Sequence, residues 1–250
     1  MTWTTKAACA LALLLSFAAQ PALATSCEDR SFDGRSYTIC EAKPAQEEIR
    51  LFLKDENGKL LGQFFTVDDR LKAQGARLGF AMNAGMYHED RSPVGHYREN
   101  GEELMRVIPN AGPGNFGLLP NGVFCVQEGR ADVVETKRFL REAPDCRHAT
   151  QSGPMLVIDG ALHPRFLRDS DSRYVRNGVA TSEDGGRAVF IISNERVTFY
   201  EMGLFVRDGL KLPQALYFDG NVSRIYAPEL NRADAGFLLG PIVGVVETAD

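Results

Sequence analysis

Residues 188 to 223 constrain this chain more than any other stretch. Ala188-Val189-Phe190-Ile191-Ile192 is an unbroken apolar run of strand length, and Leu216-Tyr217-Phe218 is a second run that stops abruptly at Asp219-Gly220. Between them Thr198 and Glu201 have the spacing of a capping box, in which each side chain satisfies an orphan backbone amide, with Val197 and Met202 at the staple positions. Phe199, Met202, Phe205, Val206 and Leu210 then share one helical face, Gly209 offers a left-handed stop and Pro213 forbids continuation. Strand, helix and strand in this order predict a β-α-β crossover joining parallel strands. Sheets with such crossovers bind ligands beyond the carboxyl ends of their strands. Asp219 stands at such an end. Asp-Gly is also ordinary turn chemistry, because Asp tolerates tight turns and Gly supplies positive φ, so the residue needs partners before it makes a site.

The rest of the chain reads as short strands separated by turns. Residues 48–53 alternate and turn at Asn57-Gly58 into Leu60 to Val67, which predicts a hairpin; Thr66 and Asp69 then resemble a capping box opening a helix to about Ala73. The strand Leu78 to Met82 ends in Asn83-Ala84-Gly85, another apolar run terminating in a polar side chain and a glycine. Further hairpins are expected around Asn100-Gly101, Pro120-Asn121-Gly122, Asp159-Gly160 and Glu183-Asp184-Gly185-Gly186, and a short helix from Thr136 to Arg141. The fold class these signals predict is α+β: a mixed, strand-rich sheet packed by a few helices, with the β-α-β unit near residues 188–219.

Lys6, the apolar run Ala7 to Ala19 and the small-x-small Ala22-Leu23-Ala24 have the form of a secretory signal peptide, too short for a membrane span. The expected organisation is a signal peptide over residues 1–24 and one domain over residues 25–250, periplasmic or secreted, with no stable membrane insertion. Cys9 falls inside the signal. Cys27, Cys40, Cys125 and Cys146 remain, an even number in an exported chain, and local pairing of Cys27 with Cys40 and Cys125 with Cys146 is the simplest of the three connectivities. With 28 Lys plus Arg against 33 Asp plus Glu, a net charge of −5 and no basic cluster of the right kind, the chain carries no nucleic-acid footprint.

Several chemistries are excluded by context. Gly112-Pro113-Gly114-Asn115-Phe116-Gly117 matches G-x-G-x-x-G, but the dinucleotide fingerprint must leave a strand and open a helix, which Leu118 to Val126 does not. Ser152 is not in a G-x-S-x-G elbow. His88, His96, His148 and His163 lack metal-ligand spacing, and there is no C-x-x-C pair; neither a metal nor a nucleotide cofactor is expected. Asn221-Val222-Ser223 is a glycosylation sequon, but its place beside Asp219 argues against a bulky glycan. Arg165, Arg168, Arg173 and Arg176 concentrate positive charge in one segment, and guanidinium is the side chain best shaped to grip a phosphate.

Met82-Asn83-Ala84-Gly85-Met86-Tyr87, Ser152-Gly153-Pro154-Met155-Leu156-Val157, Arg176-Asn177-Gly178-Val179, Phe218-Asp219-Gly220 and Gly240-Pro241 occur in the order of similar motifs in the phosphodiester glycosidase family, which this chain resembles from about Gly79 to Val246. Within the family the resemblance is strongest to a bacterial branch associated with exopolysaccharide. The resemblance implies an exported α+β hydrolase that cleaves a sugar-1-phosphodiester without a nucleotide cofactor. One well-known member carries Asp-Gly-Gly-Gly-Ser-Ser where this chain has Asp219-Gly220-Asn221-Val222-Ser223-Arg224, so the pocket floor is bulkier and more basic here.

Cleavage at the anomeric carbon expels a phosphomonoester, whose second pKa is about 6, so the site must mainly stabilise an anion and activate water or a nucleophile. The expected roles are phosphate binding by Arg176 with help from Arg224, base or nucleophile for Asp219, and sugar orientation by Asn83 and Ser152. Gly85, Gly153, Gly220 and Ser223 complete the expected substrate-binding set. Glu183 is the candidate second carboxylate because it closely follows Arg176. The competing readings are a non-catalytic envelope protein that binds glycan or exopolysaccharide, and a calcium-dependent glycan module using Asp219 as a ligand.

Overall fold

The computed structural model describes Met1, residues 25–220 and residues 222–249; the signal segment and the Asn221 of the sequon lie outside the described residues. In chain order the strands are β1 (Ser26–Phe32), β2 (Arg35–Ala42), β3 (Glu48–Phe52), β4 (Ala76–Asn83), β5 (Tyr97–Glu99), β6 (Glu102–Met105), β7 (Gly122–Gln127), β8 (Arg130–Glu135), β9 (His148–Ser152), β10 (Met155–Ile158), β11 (Ala161–Leu162), β12 (Asn177–Thr181), β13 (Ala188–Ser193), β14 (Gln214–Tyr217), β15 (Ile225–Ala227), β16 (Arg232–Ala233) and β17 (Ile242–Thr248). The helices are α1 (Phe64–Lys72), α2 (Thr136–Glu142) and α3 (Phe199–Leu204). Among the described residues the strands form three sheets, ordered β1-β2-β13-β12-β14-β10-β11, β16-β15-β4-β17-β3 and β6-β5-β9-β7-β8. The class is α+β, as the alternation of short apolar runs and Asx-Gly turns predicts.

The β-α-β unit is present, in a form the sequence does not specify. Strands β13 and β14 both pair antiparallel with β12, so they run in the same direction with β12 between them. The capping box that opens α3 is formed as expected: Thr198 Oγ1 accepts the Glu201 N–H, and Glu201 accepts the Thr198 N–H. Gly209 does not end the helix. The chain widens into a π-helical turn over Phe205–Leu210, and Lys211 takes the left-handed conformation instead, at φ 57°.

Other boundaries also shift. Only a bridge from Lys54 to Leu60 follows the Asn57-Gly58 turn, and α1 opens at Phe64, with Gln63 at its N-cap and no side-chain cap from Thr66. Phe64, Val67 and Leu71 cover Leu78, Ala81 and Ile242, and this burial decides the helix start. Asn121-Gly122 is not a hairpin turn: Pro120 enters β7, and the hairpin closes between Gln127 and Arg130.

A common core joins all three sheets. Phe80 from the second sheet and Phe124 from the third both contact Phe190 of β13, with ring centroids 4.8 and 5.6 Å away. Alternation along β13 explains its unbroken apolar run: Phe190 and Ile192 face this core, while Val189 and Ile191 face Met202 and Phe205 below α3. Disulfides join Cys27 to Cys40 and Cys125 to Cys146. Each closes a short loop and contributes about 3 kcal/mol by restricting the unfolded chain.

His148 sits at the start of β9, 1% exposed, with Nδ1 accepting the N–H of Leu51 and of Asn100. Burial, assisted by Arg50 and Arg147, pulls its pKa from 6.5 to about 4. Between those values the unfolded chain binds the proton and the folded chain does not, so stability is lost as pH falls. From pH 7 to pH 4.5 the parent should lose about 2 to 3 kcal/mol more than a His148→Gln variant, read from urea midpoints at the two pH values.

Candidate active site

One strand end from each sheet reaches the same place. Asn83 closes β4, Ser152 closes β9, and the antiparallel pairing of Gly178 with Tyr217 sets the start of β12 beside the end of β14. A Cβ at Gly178 would collide with the Leu216 carbonyl, so this close pairing requires glycine. Ser152 Oγ donates to the Phe218 carbonyl at 2.8 Å, tying the third sheet to the first. Asn177 Nδ2 donates to the Asn83 carbonyl at 2.8 Å, tying the first to the second. Asp219 therefore projects from a junction of three sheets rather than from the open end of one.

Asn177 is the hub of that junction. Its side chain is fully buried, and its Oδ1 accepts the Asp219 N–H at 3.2 Å and lies 3.2 Å from the Ser223 Oγ. Asn177 and Asn83 also exchange side-chain amide hydrogen bonds at 3.2 and 3.3 Å, and Asn83 Oδ1 accepts the Arg224 N–H at 2.9 Å. Ser223 Oγ donates to the Asp219 carbonyl at 2.5 Å. Both backbone groups of Asp219 are thus held, while its Oδ1 accepts the Gly220 N–H at 2.6 Å. Replacing Asn177 by Ala orphans several buried partners at about 1 to 3 kcal/mol each, so a loss of about 3 kcal/mol in a urea titration is expected.

Two buried arginines flank this loop. Arg176 has no solvent exposure; Nε donates to the Val197 carbonyl at 2.8 Å, Nη2 to the Ser172 carbonyl at 2.9 Å, and the guanidinium stacks on Phe199 at 3.7 Å. It interacts with the Tyr217 hydroxyl, and its Nη1 has no geometrically acceptable hydrogen-bond acceptor among the described residues. Arg224, 6% exposed, donates through Nη2 to the Phe237 carbonyl, and its Nη1 is likewise without an acceptor. Neither forms an ion pair with a carboxylate among the described residues. Burial lowers both guanidinium pKa values.

Two phenols complete the group. Tyr217 feels the charges of both Arg176 and Asp219, and Tyr87 those of Asp219 and Arg224. Burial raises both phenol pKa values, with the Asp219 charge adding to the effect, so each keeps its proton as a hydrogen-bond donor.

The phosphodiester glycosidase family model matches residues 76–236, which contain all of these side chains. The chain belongs to the phosphodiester glycosidase family. That family consists of enzymes, hydrolases of phosphodiester-linked sugars. The chain is 30% identical over 216 residues to the "Uncharacterized protein YigE" of Escherichia coli strain K12, covering 86% of this chain and 84% of that relative. Its fold is that of the zebrafish N-acetylglucosamine-1-phosphodiester alpha-N-acetylglucosaminidase catalytic domain, solved auto-inhibited by its pro-peptide: TM-score 0.62, 10% identity, 91% of this chain and 84% of that one covered.

Within this phosphodiester glycosidase fold, Asn83, Ser152, Arg176, Asp219, Gly220, Ser223 and Arg224 are brought together, and Gly85 and Gly153 are close-packed glycines beside them. A Cβ at Gly85 would press on Thr150 and Gln151, one at Gly153 on Asn121, and one at Gly220 on the Tyr217 hydroxyl. Asn83 and Ser152 are fully buried, and their side chains are hydrogen-bonded to protein groups. Glu183 stands apart. It is exposed in the β12–β13 turn, at the opposite end of β12 from Asn177, about 20 Å along the strand, and lines a separate cleft of about 320 Å³ with Arg130 and Asp132. Antiparallel pairing turns the chain away from the site between Arg176 and Glu183, which proximity in sequence conceals.

Asn177, Tyr87, Tyr217 and Asn115 were not singled out by sequence reasoning. A signal for Tyr217 exists: residues i and i+2 of a strand share a face, which pairs Tyr217 with Asp219. Asn115 comes from the G-x-G-x-x-G loop, which brings its side chain to the Tyr217 hydroxyl. That loop reaches the site through Asn115.

Proposed function

We propose that this chain is an exported phosphodiester glycosidase that cleaves the C1–O–phosphate bond of a sugar-1-phosphodiester in a glycan or glycoconjugate. The observation that carries this reading is the pair of buried arginines on either side of the Asp219 loop, each with an Nη1 that finds no acceptor, and no ion-paired carboxylate, among the described residues. Uncompensated buried cations are expensive, and a site that meets an anion in its working state is a sufficient reason to keep them.

In the proposed reaction, water adds at C1 and the C1–O bond breaks with its electron pair leaving on the phosphomonoester. Arg176 and Arg224 supply the positive field that stabilises that anion, and the Tyr217 and Tyr87 hydroxyls supply donors within it. Asp219 either takes the proton of the attacking water or attacks C1 itself, and the anomeric configuration of the released sugar separates the two routes. A phosphate leaving group needs little proton donation, so a second carboxylate is not required for departure. Export is supported by the apolar leader of residues 1–24 and by two disulfides, and the mature unit is residues 25–250. Among the described residues no helix is long and apolar enough to cross a membrane.

The test is phosphomonoester release by the purified mature chain from a panel of α- and β-linked sugar-1-phosphodiesters, with and without chelator. Turnover that survives chelation supports the reading. Silence across the panel together with retained glycan binding would move the non-catalytic envelope protein ahead, and activity lost with chelator would favour a cation at Asp219.

A further inference from the structure

The Arg224 side of the site opens onto an apolar surface that is left exposed among the described residues. Phe237, Phe65 and Leu238 are 86%, 56% and 49% exposed. They share one surface because the segment carrying Phe237 and Leu238 is fastened to the entry of α1. Gln63 Nε2 donates to the Gly236 carbonyl at 3.0 Å, the Leu239 N–H donates to the Gly62 carbonyl at 2.8 Å, and Leu238 lies against Gly62. Phe65 stands on the first turn of α1, edge-on to Tyr226. Isolated exposed apolar residues need no explanation, whereas a contiguous group beside a site marks a binding surface.

The surface is continuous with the candidate site. Arg224, whose backbone is held by Asn83, donates to the Phe237 carbonyl. Val222, three residues after Asp219, packs into the cluster formed by Phe64 and Tyr226. The bulk that replaces a glycine-rich turn at Val222 therefore extends the apolar floor from the Asp219 loop towards Phe65 and Leu238. A phosphodiester held beside Arg224 has two substituents. With the sugar carbon directed at Asp219, the other ester arm leaves along this surface.

Resting on the function proposed above, we propose that the aglycone is a long-chain alcohol, so that the substrate is a sugar-1-phosphate esterified to a lipid-like chain, with Phe65, Phe237 and Leu238 as its subsite. Each methylene laid on such a surface is worth up to about a fourfold gain in affinity. The probes are ethyl and octyl phosphate, titrated calorimetrically below micelle-forming concentrations, and the ethyl and octyl esters of one sugar-1-phosphate as substrates. The parent should bind octyl phosphate at least about tenfold more tightly than ethyl phosphate. The Phe237→Ser/Leu238→Ser double variant should lose that preference, and Leu167→Ser, at an exposed leucine elsewhere, should keep it.

Equal binding of the two phosphates, failure to bind either, or a preference that survives in the double variant overturns the proposal. So does a parent dimer that becomes monomeric in the double variant, which would assign the surface to a second copy of the chain. Equal turnover of both esters with equal binding would defeat the lipid subsite and leave the glycosidase reading standing. A chain-length preference in binding with neither ester cleaved would do the reverse.

Discussion

Asp219→Asn should lower phosphomonoester release by about 10²- to 10⁴-fold, the range typical of removing a positioned acid-base group. The substitution is nearly isosteric. Asn can still accept the Gly220 N–H through its side-chain oxygen, and the bonds from the Asp219 backbone to Asn177 and Ser223 do not involve the carboxylate. Stability should therefore stay within about 0.5 kcal/mol of the parent. Urea midpoints check the fold and initial rates on the best substrate of the panel check the chemistry. Activity within tenfold of the parent would reduce Asp219 to a turn residue, the ordinary role that Asp-Gly plays after a strand.

Arg176→Met should move stability and activity in opposite directions. Arg176 is a fully buried cation with no ion-paired carboxylate and one nitrogen without an acceptor among the described residues, and burial lowers its pKa. An apolar side chain of similar volume removes the cost of burying a charge and keeps the packing on Phe199. It also abandons the bonds to the carbonyls of Val197 and Ser172, so the net change should lie between about zero and 2 kcal/mol of added stability. If Arg176 stabilises the departing phosphate, kcat/KM should fall by about 10²- to 10³-fold in the same variant. A variant that is both destabilised and fully active would mean that Arg176 is a structural anchor for the Ser172 to Val197 segment. The trade of stability for function is what separates a working cation from a packing one.

The two variants also probe how the site is built. Asp219 is carried by a short turn, so its geometry depends on what holds that turn from outside. Asn177 does so from β12, and Ser223 from the segment that leads into β15. Arg224 is in turn linked to β4 through Asn83. A site assembled this way is rigid only while all three sheets are folded together, which is why Asn177→Ala is expected to damage stability and chemistry at once.

Much of this was legible in the chain. The apolar runs gave β13, β14 and β4, the Thr198/Glu201 spacing gave the start of α3, and the motif order gave the family and the cluster of Asn83, Ser152, Arg176 and Asp219. The four cysteines gave both disulfides. Local signals carry such information because capping, turn formation and burial on alternate faces are settled within a few residues. The sequence alone therefore determined where strands end in polar residues, and so which side chains were available for chemistry. Only the tertiary structure decided which of them meet. Two strands that run in the same direction are separated by a third, Glu183 is carried away by the length of β12, and Asn177 becomes the hub because three sheets close on it. Those outcomes rest on pairings between residues far apart in the chain, such as Arg224 with Asn83, 141 positions away. Their energy comes from burying faces against one another, which a linear pattern of apolar and polar residues does not specify.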